Sequence, residues 1–304
     1  MKISKEIEKI FRNNDPAEFT QFKYDNERKK IHNNKLKEDL KILKNETDDK
    51  QYSLYLFYTA RFSDFVTHML EIPSLSVKKI NKILDELEDQ FHPAYPPLSP
   101  ISDSYYNTWS LFDLKISGEK ETLASCFYDC MKLVKGADTL MLRLALNASL
   151  SKMEFFEQIS TAKPIRAPSL YSVQLKNIYT DEIINLYNNT GFEGEIGYIW
   201  YTRVLPSPCG YSYYSSLNTP YIFRNTEKEK LLRFIENTLP KIKPSKTNDS
   251  YFELMKFGLN KMFWPTFIFE SYSNYDGGAI YLQGTPDDPL SRPHSEESFE
   301  LSCQ

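Results

Sequence analysis

The chain has 304 residues, 41% of them hydrophobic, with 37 Lys and Arg against 41 Asp and Glu for a formal charge of -4. That apolar content fills a sizeable core and excludes a mostly disordered chain, and the slightly acidic balance offers no global attraction to nucleic acid or anionic lipid, so any phosphate site must be local. The charged start MKISKEIEKIFRNND carries no signal-peptide pattern, and no apolar run approaches the roughly 20 residues of a membrane span, so a soluble, cytoplasmic protein is expected.

In chain order, Ile3, Ile7, Ile10 and Phe11 have helical spacing, closed by Asn14, Asp15 and Pro16. Residues 27–45 are charged and read as a solvated helix or a connection. The aromatic stretch QYSLYLFYTARFSDFVTHML from Gln51 fits a buried strand, a buried helix or one running into the other. Residues 76–91 place Val77, Ile80, Ile83, Leu84, Leu87 and Phe91 on one stripe, an amphipathic helix that the Pro-rich segment 92–100 stops.

Alternation then suggests strands. In TWSLFDLKIS, Phe112, Leu114 and Ile116 oppose Asp113, Lys115 and Ser117, and in TLMLRLALN, Leu142, Leu144 and Leu146 oppose Arg143 and Asn147. A helix at 119–134 separates these two, and KMEFFEQI reads as the hairpin partner of the second. A strand at 169–176, a short helix at about 181–189, and the strands GEIGYIWYTRVL and YSYYSSLNTPYIF follow, the last two joined by the PSPCG turn.

Two helices come next: TEKEKLLRFIENTL, capped by Asn225 or Thr226, and 249–262, capped by Asp249 or Ser250. WPTFIFESY then reads as a strand leading through NYDGG into AIYLQ. The expected fold is α+β, an antiparallel sheet with helices on one face that closes into a barrel, as one domain over residues 1–284 with a polar, flexible tail over 285–304.

Cys126, Cys130, Cys209 and Cys303 have no His nearby and read as reduced thiols. No P-loop, dinucleotide glycine fingerprint, GxSxG elbow or HExxH motif is present. The 21 Tyr and 20 Phe are the most unusual part of the composition. Tyr suits strands facing a half-polar cavity, and Lys115, Arg143 and Arg203 fall on or near that face. Fixed cations would hold a diphosphate there and aromatic rings would shield a carbocation, the two requirements of allylic diphosphate chemistry.

Six stretches carry a resemblance along the chain: IFRNNDPAEF, TARFSDF, SLFDLKISGEKETL, LALNASLSKMEFF, PIRAPSLYS and FWPTFIFES. In this order they resemble the ABBA-type aromatic prenyltransferases, and within them the peptide prenyltransferases of cyanobactin (RiPP) biosynthesis. The resemblance implies a ten-stranded barrel ringed by helices that transfers a dimethylallyl or geranyl group from its diphosphate, with Mg²⁺, to a side chain of a peptide or to a small aromatic acceptor. It implies that Arg61 and Lys115 hold the diphosphate, that Arg203 and Tyr281 lie on the later diphosphate-contacting and ring-shielding strands, and that an acid before the RF motif, Glu46 with Asp48 and Asp49 as near alternatives, accepts the proton. The basic 27–45 stretch, the long tail and Ser117 depart from the family's pattern.

Three other readings compete. The acids of DELED, residues 85–89, would suit an all-α prenyl synthase, although charge facing Lys78, Lys79 and Lys82 is the usual solvated surface. Arg61 and His68 have the spacing of HEPN-type ribonucleases. A non-catalytic barrel binding a peptide or hydrophobic ligand would not need Arg61, Lys115 and Arg203 to converge.

Overall fold

A computed structural model describes residues 62, 100–115, 121–133, 139–166, 170–188, 191–207, 212–223, 228–245 and 247–273. The helix expected at 76–91, the capping residues Asn225 and Thr226, and the tail lie outside them. The described residues fall into two compact units. In the first, a helix α2 (Leu123–Leu133) and a helix α3 (Thr139–Leu150), whose last residue passes into the second unit, bury Leu123, Ala124, Cys126 and Phe127 and then Leu144, Ala145 and Ala148. α2 starts where a helix is expected, and a reciprocal pair caps it: the Ser125 amide donates to Thr122 Oγ1 and the Thr122 amide to Ser125 Oγ, at 3.2 and 2.9 Å. α3 corrects the strand and hairpin expected over TLMLRLALN, because the buried positions step by one and by three rather than by two.

The second unit begins with α1 (Pro100–Phe112), again where alternation suggests a strand. Tyr105, Thr108, Trp109 and Phe112 are all buried at helical spacing, and the amides of Asp113 and Leu114 both donate to Trp109 O as the helix ends. Among the described residues seven strands follow: β1 (Met153–Gln158), β2 (Lys163–Arg166), β3 (Leu170–Asn177), β4 (Ile183–Asn188), β5 (Ile199–Pro206), β6 (Tyr214–Ser216) and β7 (Tyr221–Phe223). β1, β3 and β5 lie where the sequence places strands, and YSYYSSLNTPYIF divides into β6 and β7. β4 replaces the expected short helix. The Asn177 carboxamide accepts from the amides of Tyr179 and Thr180, Asp181 adopts φ +60°, and the chain reverses to pair six residues of β4 with β3.

The strands are hydrogen-bonded in the order β1-β3-β4-β6-β5, and β5 pairs back onto β1, closing a five-stranded barrel, with β2 added on β3 and β7 on β5. β4 and β6 run parallel and the other pairs antiparallel, so the barrel is mixed. This corrects the all-antiparallel expectation. A barrel this narrow is filled by its own side chains. Phe156, Val173, Leu175, Ile184, Leu186 and Trp200 form one buried apolar cluster from four of its strands. The polar, ligand-holding lumen expected from the Tyr and Arg content is not what the described strands enclose.

The alternate residues of β1 and β5 face helices instead. Phe155 stacks on Tyr201 at 4.5 Å, and both rings meet Trp264 and Phe267 of α6 (Phe263–Ser273). Phe234 of α4 (Lys228–Thr238) packs on Phe263, Trp264 and Phe267. α6 occupies the stretch expected as the strand WPTFIFESY. Its Pro265 lies in the first helical turn, where a missing N–H breaks no bond.

Candidate functional site

Of the residues assigned to the site from sequence, Glu46, Arg61 and Tyr281 lie outside the described residues, as does His68 of the ribonuclease alternative. Lys115 and Arg203 are described, and both border one cluster between β5 and the helices. Arg203 is fully buried on β5, its neighbours Thr202 and Val204 alternating toward the barrel. Its Nη1 donates to the carbonyl and the hydroxyl of Ser151, each at 2.9 Å, and its Nη2 donates to Asp113 Oδ2. The guanidinium carbon stands 5.1 Å from the Phe112 ring centre. Arg203 therefore ties three segments together: the end of α1, the start of β1, and β5.

Lys256, which the sequence reading does not single out, completes the cluster from α5 (Ser250–Phe257). Asp249 caps this helix as expected, accepting from the Phe252 amide at 2.7 Å. Gly258 ends it at φ +63°, and a Cβ there would meet the Phe263 side chain at 2.5 Å, so only glycine lets the chain turn directly into α6. In the last turn Lys256 is 3% exposed, and its ammonium donates to Ser151 O at 2.6 Å and to Asp113 Oδ1 at 3.3 Å. The sequence signal is a lone Lys among the buried positions Tyr251, Leu254 and Met255.

Lys115 reaches the same place from the surface. It is exposed, two residues beyond Asp113, and its ammonium lies 4.2 Å from the Phe257 ring centre, while that of Lys256 lies 5.7 Å from the same ring. A line of positive charge thus runs from Lys115 past Phe257 to Lys256 and Arg203. Asp113 is the one carboxylate among the described residues that contacts Lys256 and Arg203. The nearby Lys152 pairs with Glu154 at 2.9 Å.

Among the described residues, two cations sharing one buried carboxylate leave an excess of positive charge where it is poorly solvated. Burial holds the Lys256 ammonium down at about 8, with Asp113 pulling it upward and Arg203 pushing it further down. Three buried groups in this region have no hydrogen-bond partner: Arg203 Nε and the hydroxyls of Tyr105 and Tyr201. Both tyrosines are held well above the ordinary value of 10.0, first by burial, and each also interacts electrostatically with Asp113 and Arg203. They stay protonated and able to donate throughout the neutral range.

A pH dependence follows from these shifts. Below pH 8 Lys256 is charged in both folded and unfolded chains, and its burial penalty is fully present. Between about 8 and its ordinary 10.5 the unfolded chain holds a proton that the folded chain has released, so stability rises with pH. Tyr105 and Tyr201 act in the opposite sense above 10, where the unfolded chain ionises first. Unfolding free energies should therefore increase from pH 7.5 to 9.5 and fall beyond 10. The rise should vanish in Lys256→Met, and a rise that persists in that variant would assign it to another group.

Among the described residues no group of three or more His, Cys, Asp or Glu could hold a metal ion. Asp113, the acid in this cluster, is already held by two cations. No family model, no curated protein and no solved structure matches the chain.

Proposed function

We propose that the chain binds an anionic ligand where Lys115 and Lys256 flank Phe257, and that this ligand is the diphosphate end of an allylic substrate whose prenyl group passes to a peptide or aromatic acceptor. The observation that carries the anion is the approach of Lys115 and Lys256 to the same Phe257 ring, next to Arg203, with which Lys256 shares the Asp113 carboxylate. The prenyl group and its acceptor rest on the sequence resemblance. Lys115 is the exposed ligand, Lys256 lies behind it, and Arg203, with both terminal nitrogens engaged, contributes its field rather than a direct contact.

Calorimetry with inorganic diphosphate and with dimethylallyl thiolodiphosphate, with and without Mg²⁺, tests both levels. Both should bind, the thiolodiphosphate more tightly because the aromatic side chains add apolar contact. Lys115→Ala should weaken each by about tenfold, the loss of one charge-assisted contact, with the unfolding midpoint unchanged. Equal affinity for the two would keep the anion site and remove the prenyl substrate. Absence of binding by either, or an unaltered Lys115→Ala, would dismiss the reading as a whole.

A further inference from the structure

The inner end of the cluster differs in character from its exposed end. Arg203, Tyr105 and Tyr201 are all 0% exposed, and their Nε–H and two O–H groups are donors without acceptors. Buried donors are nearly always satisfied by protein, by water or by an ion. Among the described residues the charge around them is also unbalanced: Arg203 and Lys256 carry two positive charges against Asp113, while Lys152 is matched by Glu154.

We propose that this enclosed region holds one monovalent inorganic anion of halide size, chloride in ordinary buffers, on Arg203 Nε and the hydroxyls of Tyr105 and Tyr201. A single negative charge closes the balance of the cluster among the described residues, and N–H and O–H donors are the groups a halide accepts from. Full enclosure favours a one-atom ion over a phosphate or carboxylate, which needs more donors than the three left over. The ion would then belong to the fold, lowering the cost of burying Lys256 beside Arg203. Its three donors are distinct from the exposed end, although Lys256 borders both, and it does not depend on Lys115.

Thermal unfolding of the full chain, in sodium chloride or bromide against sodium gluconate at equal ionic strength, tests it. Chloride and bromide should raise Tm saturably, on the order of 2–4 °C, and gluconate, too large to enter, should not. Lys256→Met balances the cluster without an ion and should abolish the halide response, and so should Tyr105→Phe, which removes a donor without creating an orphan. Lys115→Ala should keep the response in full, whatever it does to diphosphate binding. Equal behaviour in all salts would overturn the proposal and leave water as the occupant. A halide response that survives both Lys256→Met and Tyr105→Phe would place the ion elsewhere and overturn it equally.

Discussion

Asp113→Asn should be among the most damaging single substitutions in this chain, lowering stability by about 3–5 kcal/mol, the range for removing one partner of a buried ion pair. The change is nearly isosteric, so packing is preserved. What is lost is the only negative charge that Arg203 and Lys256 contact among the described residues, and both cations stay buried behind it. Urea unfolding should show a lower midpoint with an unchanged slope. The double variant Asp113→Asn with Lys256→Met should recover a large part of the loss, because one of the two stranded cations is removed with its partner, and the departure from additivity measures the coupling. A loss under 1 kcal/mol in Asp113→Asn would show that the cluster is solvated and would weaken the anion arguments with it.

Trp264→Ala should lower stability by a similar amount, about 3–5 kcal/mol, as expected for emptying a large aromatic site in a core. Trp264 is 2% exposed, and its ring meets Phe155, Tyr201, Phe234, Phe263 and Phe267, joining α4 and α6 to the strand face. Its Nε1 also donates to Leu254 O at 2.7 Å, next to the end of α5. Trp264→Phe keeps most of the ring and loses that bond, so about 1–2 kcal/mol is expected. Near-ultraviolet circular dichroism should collapse in the Ala variant and survive in the Phe variant. If both variants unfold alike, the hydrogen bond rather than the ring contacts holds α6 in place.

The two substitutions also bear on the proposed site from opposite directions. Asp113→Asn raises the net positive charge of the cluster, so anion affinity should rise while the fold weakens. Trp264→Ala disturbs the helix that follows Gly258 and so loosens Lys256 without changing any charge. Stability and anion affinity should therefore change in opposite directions in the first variant and together in the second.

Local pattern alone determined a good part of this molecule. β1, β3 and β5 carry enough consecutive apolar and β-branched residues to be read as strands, α2 and α4 carry helical stripes, and Asp249 announces α5 because a short acceptor before an apolar run satisfies an otherwise unpaired amide. Lys115 and Arg203 were singled out through the resemblance and a strand-face reading, and it is the structure that brings them, by way of Phe257 and Asp113, beside Lys256. Only the tertiary structure decided that α1, α3 and α6 are helices and β4 a strand. Their apolar runs are short enough to satisfy either period, and aromatic or branched residues choose the state that lets them be buried.

Closure was likewise invisible in the sequence. The parallel pairing of β4 with β6 joins segments with β5 between them, and nothing in either strand specifies so distant a partner. That closure makes β1 and β5 neighbours, turns Arg203 away from the apolar barrel interior, and brings it to Asp113 and Lys256, 90 residues away along the chain in the first case. Charge can be read from sequence one residue at a time, whereas the sharing of a single carboxylate by two buried cations is a property of contacts, and contacts exist only in the folded chain.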